Sequence, residues 1–184
     1  MAGLLSLSVP SAAPPGPDYT TDWTLHALSS GNRNDHITIT ANSGVGLAVE
    51  AERLLDGSRV ASSAGSTYFN GDWAADDDLQ FDFEVEARID GARLVKNDTS
   101  NQGTWIFERE TAPDVWEAAG DSFVWTGGDL DALQGGYVVE VDETNAFNLI
   151  GASDVSTSWR MRKVSGTNTS GPWLMEIEFR VSRC

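Results

Sequence analysis

The chain has 184 residues, 28 of them acidic and 12 basic, for a formal net charge of −16. That length suits one domain with a sizeable core and is short for two. The acidic balance argues against nucleic acid and anionic membranes as partners, since both need a basic face, and one cysteine, Cys184, leaves no internal disulfide. No apolar run approaches a membrane span, so no membrane insertion is expected. The opening MAGLLSLSVPSAAPP has no Lys or Arg ahead of its apolar patch, which makes it a poor secretion signal. Residues 1–21 read as an extended arm. Pro10, Pro14, Pro15 and Pro17 forbid regular helix and favour a polyproline-like path. Leu4, Leu5, Leu7 and Val9 are more apolar than a solvated tail needs, so the arm is expected to pack on another chain, with a disordered tail as the alternative.

From residue 22 onward the signals are those of short strands. Trp23 and Leu25 alternate with Thr24 and His26, and His36-Ile-Thr-Ile-Thr40 is rich in β-branched residues. Residues 48–55 (AVEAERLL) read as one or two helical turns ended by Asp56-Gly57. Leu79, Phe81, Phe83 and Val85 alternate with polar residues along a clear strand, and Ile89, Leu94 and Val95 continue it beyond a turn at Asp90-Gly91. Residues 103–110 form a strand with Trp105 and Phe107 on one face, turned at Pro113-Asp114 into Val115-Trp116. Strands at 122–126, 137–141 and 147–150 follow, with Gly127-Gly128 and Gly135-Gly136 between the first two. Trp159 and Met161 alternate with Arg160 and Arg162, and after a polar loop Met175, Ile177, Phe179 and Val181 alternate with Glu176, Glu178 and Arg180. Many short strands joined by glycine-rich connections predict an all-β fold, an antiparallel β-sandwich over residues 22–184.

Four stretches in order, LLDGS with TYFNGDW (54–73), LQFDFEVEARIDGARL (79–94), GTWIFERETAPDVWEAAG (103–120) and WRMRKVSGTNTSGPWLMEIEF (159–179), resemble the discoidin-like domain. That family, the coagulation-factor C-type or galactose-binding-like jelly roll, has relatives on tailed-phage tail, fibre and head-spike proteins. The resemblance covers residues 35–184. Pro113-Asp114-Val115 lacks the glycine of the family's usual turn, and residues 127–147 do not align with it.

The resemblance implies a ligand end built from loops at one pole, with carbohydrate-binding candidates Tyr68, Asn70, Asn101, Asn168 and Trp173. Trp73 and Trp173 have core packing as their alternative. It also implies one structural Ca2+ held by Asp56 and Glu176, completed by carbonyls around Arg53, Ser58 and Thr67. The competing reading has Asp56 capping a turn and Glu176 facing solvent. Asp76-Asp77-Asp78 reads as a solvated loop. His26 and His36 sit in ordinary strand contexts, and no nucleophile–base motif is visible, so no catalysis is expected. Together these expectations describe a non-catalytic structural virion protein, assembled in the host cytoplasm. The arm would join other virion proteins, the subunit would form a homo-oligomer, and a host cell-surface polysaccharide would be the ligand. The alternatives are a purely architectural subunit, or a free bacterial lectin or carbohydrate-binding module.

Overall fold

A computed structural model of the chain describes residues 36–43, 54–55, 73–151, 153–167 and 174–182. The expected arm at 1–21 and the strand at 23–27 lie outside the described residues. Of the helix expected at 48–55 only Leu54 and Leu55 are described, and both are fully buried; residues 48–53 lie outside the described residues.

The described residues form nine strands: β1 (Ile37–Asn42), β2 (Asp78–Lys96), β3 (Thr104–Ala112), β4 (Val115–Ala118), β5 (Phe123–Val124), β6 (Asp129–Leu130), β7 (Tyr137–Val141), β8 (Ser156–Ser165) and β9 (Leu174–Ser182). All pairings are antiparallel.

β2 organises the sandwich. A straight strand of its 19 residues would span about 63 Å at roughly 3.3 Å per residue, while a domain of this length is only about 40 Å across. It therefore bends and serves two sheets. Its first half pairs with β1 and β8, and its second half with β7 and β9. The first sheet runs β4-β3-β8-β2-β1, with β5 also on β3, and the second runs β9-β2-β7-β6. Asp78 pairs with Arg162 near the end of β8, and Lys96 with Leu174 at the start of β9. Both ends of β2 thus return to the end of the molecule where β8 gives way to β9.

The turn expected at Asp90-Gly91 is instead a bulge inside the strand. Ile89 pairs with Val181 and Gly91 with Arg180, which leaves Asp90 as the extra residue. Arg88 Nε donates to Asp90 Oδ1 at 2.6 Å, and Arg180 donates to its carbonyl at 2.9 Å. The expected strand at 147–150 is also corrected. Residues 143–149 are turns and bends hung on Asp142, whose carbonyl accepts from the amides of Asn145, Ala146 and Phe147. Phe147 is apolar there because it caps the core, 4.8 Å from the Phe107 ring.

The alternating residues meet between the sheets as expected. Phe179 of β9 lies edge-on to Phe81 at 5.0 Å and to Phe83 at 5.6 Å, contacts that add to apolar burial. The missing glycine of the β3–β4 turn is also explained. Asp114 itself takes a left-handed backbone, φ 61°, and its N–H donates to Glu110 Oε1 at 2.9 Å. Asp114→Gly is expected to raise stability by about 0.5–1 kcal/mol by relieving the Cβ strain, read as a higher midpoint in urea denaturation.

Candidate functional site

Where both ends of β2 meet the β8–β9 connection, Trp73, the 97–103 loop and residues 166–167 come together; the rest of the stretches expected to build a ligand end, 68–72 and 168–173, lies outside the described residues. Lys163 of β8 donates to the Trp73 carbonyl at 2.5 Å, and the Asp76 and Lys163 backbones bond at 2.9 Å. The 97–103 loop crosses the same end. A Cβ on Gly103 (φ +86°) would lie 2.6 Å from the Ser165 carbonyl, and one on Gly166 3.0 Å from the Gly103 Cα. This pair of glycines lets the two loops touch backbone to backbone.

Beneath the loops lies a floor that sequence reasoning missed. Lys96 ends the core-facing row of β2 and Lys163 that of β8, and both are fully buried. Between them stand Trp105 and Trp125, edge to face at 5.8 Å. The Lys163 ammonium lies 6.0 Å from the Trp105 ring and that of Lys96 5.7 Å from Trp125, within cation–π reach. Trp73 tilts against Trp105 at 6.1 Å and is buried, so its core alternative is the correct one. Lys96 Nζ donates to the Ser100 carbonyl at 2.8 Å, and burial, opposed by Asp98, lowers its pKa to about 8. Gln102 is fully buried, with its carbonyl accepting from Trp105 Nε1 at 2.8 Å. A lysine at a strand's apolar end was the available signal: its methylene stem continues the core row while its head reaches the loop.

Of the carbohydrate candidates, Asn101 is placed in this pole. It is exposed, and its Oδ1 accepts from the Gly103 N–H at 2.7 Å. Tyr68, Asn70, Asn168 and Trp173 lie outside the described residues, as does Asp56 of the calcium pair. Glu176 is fully buried on the outer row of β9, opposite Val95, which overturns its solvent-facing alternative. A buried carboxylate fits a cation ligand. Among the described residues, however, no group of three or more His, Cys, Asp or Glu side chains is arranged to hold a metal.

The solvated-loop reading of Asp76-Asp77-Asp78 holds for the exposed Asp76 and is corrected at Asp78. Asp77 caps the Ala74 N–H at 2.8 Å, Asp76 pairs with Arg162, and Asp78 is buried on the outer face of the first sheet. There Asn42 donates to Asp78 at 2.8 Å and Arg160 at 3.3 Å. Burial outweighs these bonds and raises the Asp78 pKa. Beside it Glu108 accepts from Arg160 at 2.6 Å and from Arg162 at 2.7 Å. Burial opposes its ionisation, yet the two arginines hold its carboxyl below the usual range.

No protein-family model matches the chain, and no curated protein sequence does. Solved structures match in three dimensions. One is a family 32 carbohydrate-binding module of a family 31 glycoside hydrolase bound to N-acetylgalactosamine, at 12% identity and TM-score 0.50, over 78% of this chain and 95% of that one. Others are the family 32 module from Clostridium perfringens NanJ in complex with galactose, at 10% identity, TM-score 0.46 and coverage of 79% and 94%, and a chitosan-binding module from Paenibacillus sp. IK-5, at 17%, 0.48, 78% and 94%. With the two sheets and the bent strand that joins them, the first of these likenesses establishes that the chain has the discoidin-like, galactose-binding-type β-sandwich fold.

Proposed function

We propose that the chain is a non-catalytic glycan-binding module that meets its ligand at the pole above the Lys96–Lys163 floor. The observation that carries this reading is that Trp73, the 97–103 loop and residues 165–167 meet there. They leave the hydroxyl and amide groups of Thr99, Asn101, Ser165 and Thr167 exposed over a rigid base. Sugar hydroxyls are recognised by such groups held in place by a packed scaffold. The N-acetylgalactosamine held by the fold neighbour supports a sugar as the ligand class. Tyr68, Asn70, Asn168 and Trp173 are the further contacts in this reading. The non-catalytic part rests on the carboxylates Asp78 and Glu108, which are tied to arginines rather than turned toward a cleft.

The setting we assign is a phage or phage-like particle. Residues 1–21 would anchor a homo-oligomeric subunit to other virion proteins, and a host-surface polysaccharide would be the ligand. The Pro-rich, partly apolar arm and the charge of −16 support it. One structural Ca2+ between Asp56 and Glu176 belongs to the same reading.

A glycan array probed with the full chain, with calcium and with chelator, tests the function. Selective binding is expected, weakened at least tenfold by Trp173→Ala or Asn168→Ala. A blank array from folded protein overturns glycan binding and leaves an architectural subunit. Binding by a monomer that survives deletion of residues 1–20 overturns the virion setting and leaves a free lectin. A melting temperature unmoved by chelator removes the calcium.

A further inference from the structure

Lys96 occupies a position that an apolar residue would fill more cheaply. It follows Ala92 and Leu94 on the core face of β2, is fully buried, and among the described residues takes part in no ion pair. A buried ammonium without a paired carboxylate is destabilising on its own. What it holds is the apex of the 97–103 loop. Thr99 is tied by its carbonyl to the Gly127 N–H at 3.0 Å, Gln102 by its N–H to the Trp125 carbonyl at 2.8 Å, and Gly103 by its carbonyl to the Trp125 N–H at 2.9 Å. Ser100, between them, is fixed from the core side by Lys96 and from within the loop by Asp98, whose Oδ1 accepts its N–H at 2.7 Å. Asn101 is the next residue.

We infer that Lys96 is a positioning residue for the ligand pole: its buried ammonium sets the 97–103 loop, and with it Asn101, through the Ser100 carbonyl. The inference rests on the glycan-binding reading for its purpose, but its physical content does not need a ligand. Removing the charge weakens a charge-assisted hydrogen bond to the loop while relieving the core of a desolvated cation. Loop order and global stability therefore move in opposite directions. The sign follows from linkage. A lysine whose folded pKa is depressed binds fewer protons folded than unfolded, so its contribution to stability rises as pH climbs from about 8 toward its unfolded value. The loop's tether weakens over the same start of that range.

The titratable groups around Lys96 are Asp98 on the loop, Tyr137 paired with it on β7, Glu176 on the other face of β9, and Lys163 beyond the two tryptophans. Because ionisable groups surround Lys96, the probe must be residue-specific.

The experiment follows the Lys96 13Cε resonance and the amides of Thr99, Ser100 and Asn101 by NMR in the full chain from pH 6.5 to 9.5. A shared midpoint near 8 is expected. Lys96→Met should abolish the loop transition, speed hydrogen exchange at Ser100 and Asn101 about tenfold, and leave the melting temperature unchanged or higher. Lys96→Arg, which stays charged, should keep the loop protected at pH 9. Loop amides that stay flat while Lys96 titrates, or a Met variant whose loop is as protected as the parent's, would overturn the proposal. The parent titration needs no variant to fold. Where the array yields a ligand, its affinity should fall at least threefold from pH 7 to 9 in the parent and not in Lys96→Met. A blank array beside a positive NMR titration refutes the glycan reading and leaves the loop coupling standing.

Discussion

Gly120→Ala is expected to lower the unfolding free energy by about 3 kcal/mol, at the upper end for overpacking a single site. The added Cβ would lie 2.3 Å from the Ala146 carbonyl carbon and 2.5 Å from the carbonyl oxygens of Asn145 and Ala146. All three are backbone atoms, so no side chain can swing aside. The backbone itself is held: the Asp121 N–H donates to the Asn145 carbonyl at 2.7 Å, and the Leu149 N–H to that of Ala119 at 2.9 Å. Phe147 on the same turn packs against Phe107 with its ring tilted, so a shift there opens the core. Urea denaturation measures the effect, with Gly127→Ala as control. Gly127 has φ +67° with nothing within 4 Å of its Cβ position, so it should lose only about 1 kcal/mol of backbone strain. Equal losses at the two positions would show that the 142–147 turn yields freely.

The second large effect is expected at Glu108. Its carboxylate is buried on the outer face of the first sheet and receives both Arg160 and Arg162, and Arg160 also lies over the Trp116 ring at 4.3 Å. Glu108→Gln leaves two guanidinium groups short of their shared anion, a loss of about 3 kcal/mol for breaking a pair of this kind. The pH dependence has two opposed parts. Glu108 has a depressed folded pKa, so its stabilisation is complete above its unfolded value of 4.5 and is lost as pH falls through the folded one. Asp78 shares Arg160 but has a raised pKa, so near and above its unfolded value of 3.8 it gains stability as pH falls. Acid unfolding of the parent should therefore be steepened by Asp78→Asn and flattened by Glu108→Gln. Urea midpoints between pH 3 and 6 read both. A Gln variant with the parent's acid profile would show that the two arginines are satisfied without Glu108.

The strands were legible wherever one face is apolar and the other polar. Leu79, Phe81 and Phe83 alternate in sequence and sit between the sheets, and the same holds for Trp105 with Phe107 and for Trp159 with Met161. Asp90-Gly91 was misread because a turn and a bulge ask the same local favour of the chain, and only the partner strand decides between them. Residues 147–150 were misread because an apolar run reports burial and leaves conformation open. Glu176 and Glu178 carry the polar half of a clean alternation yet are fully buried, since period two identifies a strand's two faces without saying what covers the second. Within the pole, the loops were legible through the family resemblance. Their floor was not, because Lys96 and Lys163 look in sequence like any surface lysine, and their partners are carbonyl oxygens of residues as distant as Trp73.

The bent β2 carries a consequence for biosynthesis. Its partners β8 and β9 follow it by roughly 80 residues of chain, so on the ribosome β2 emerges with a row of apolar side chains long before the strands that cover them. Of the described strands, only β1 and β7 can pair with it in the interval. Non-local pairing of this kind folds slowly and leaves the intermediate open to aggregation. A nascent chain stalled before Leu174 should be protease-sensitive and chaperone-bound, and its release should coincide with the arrival of β9.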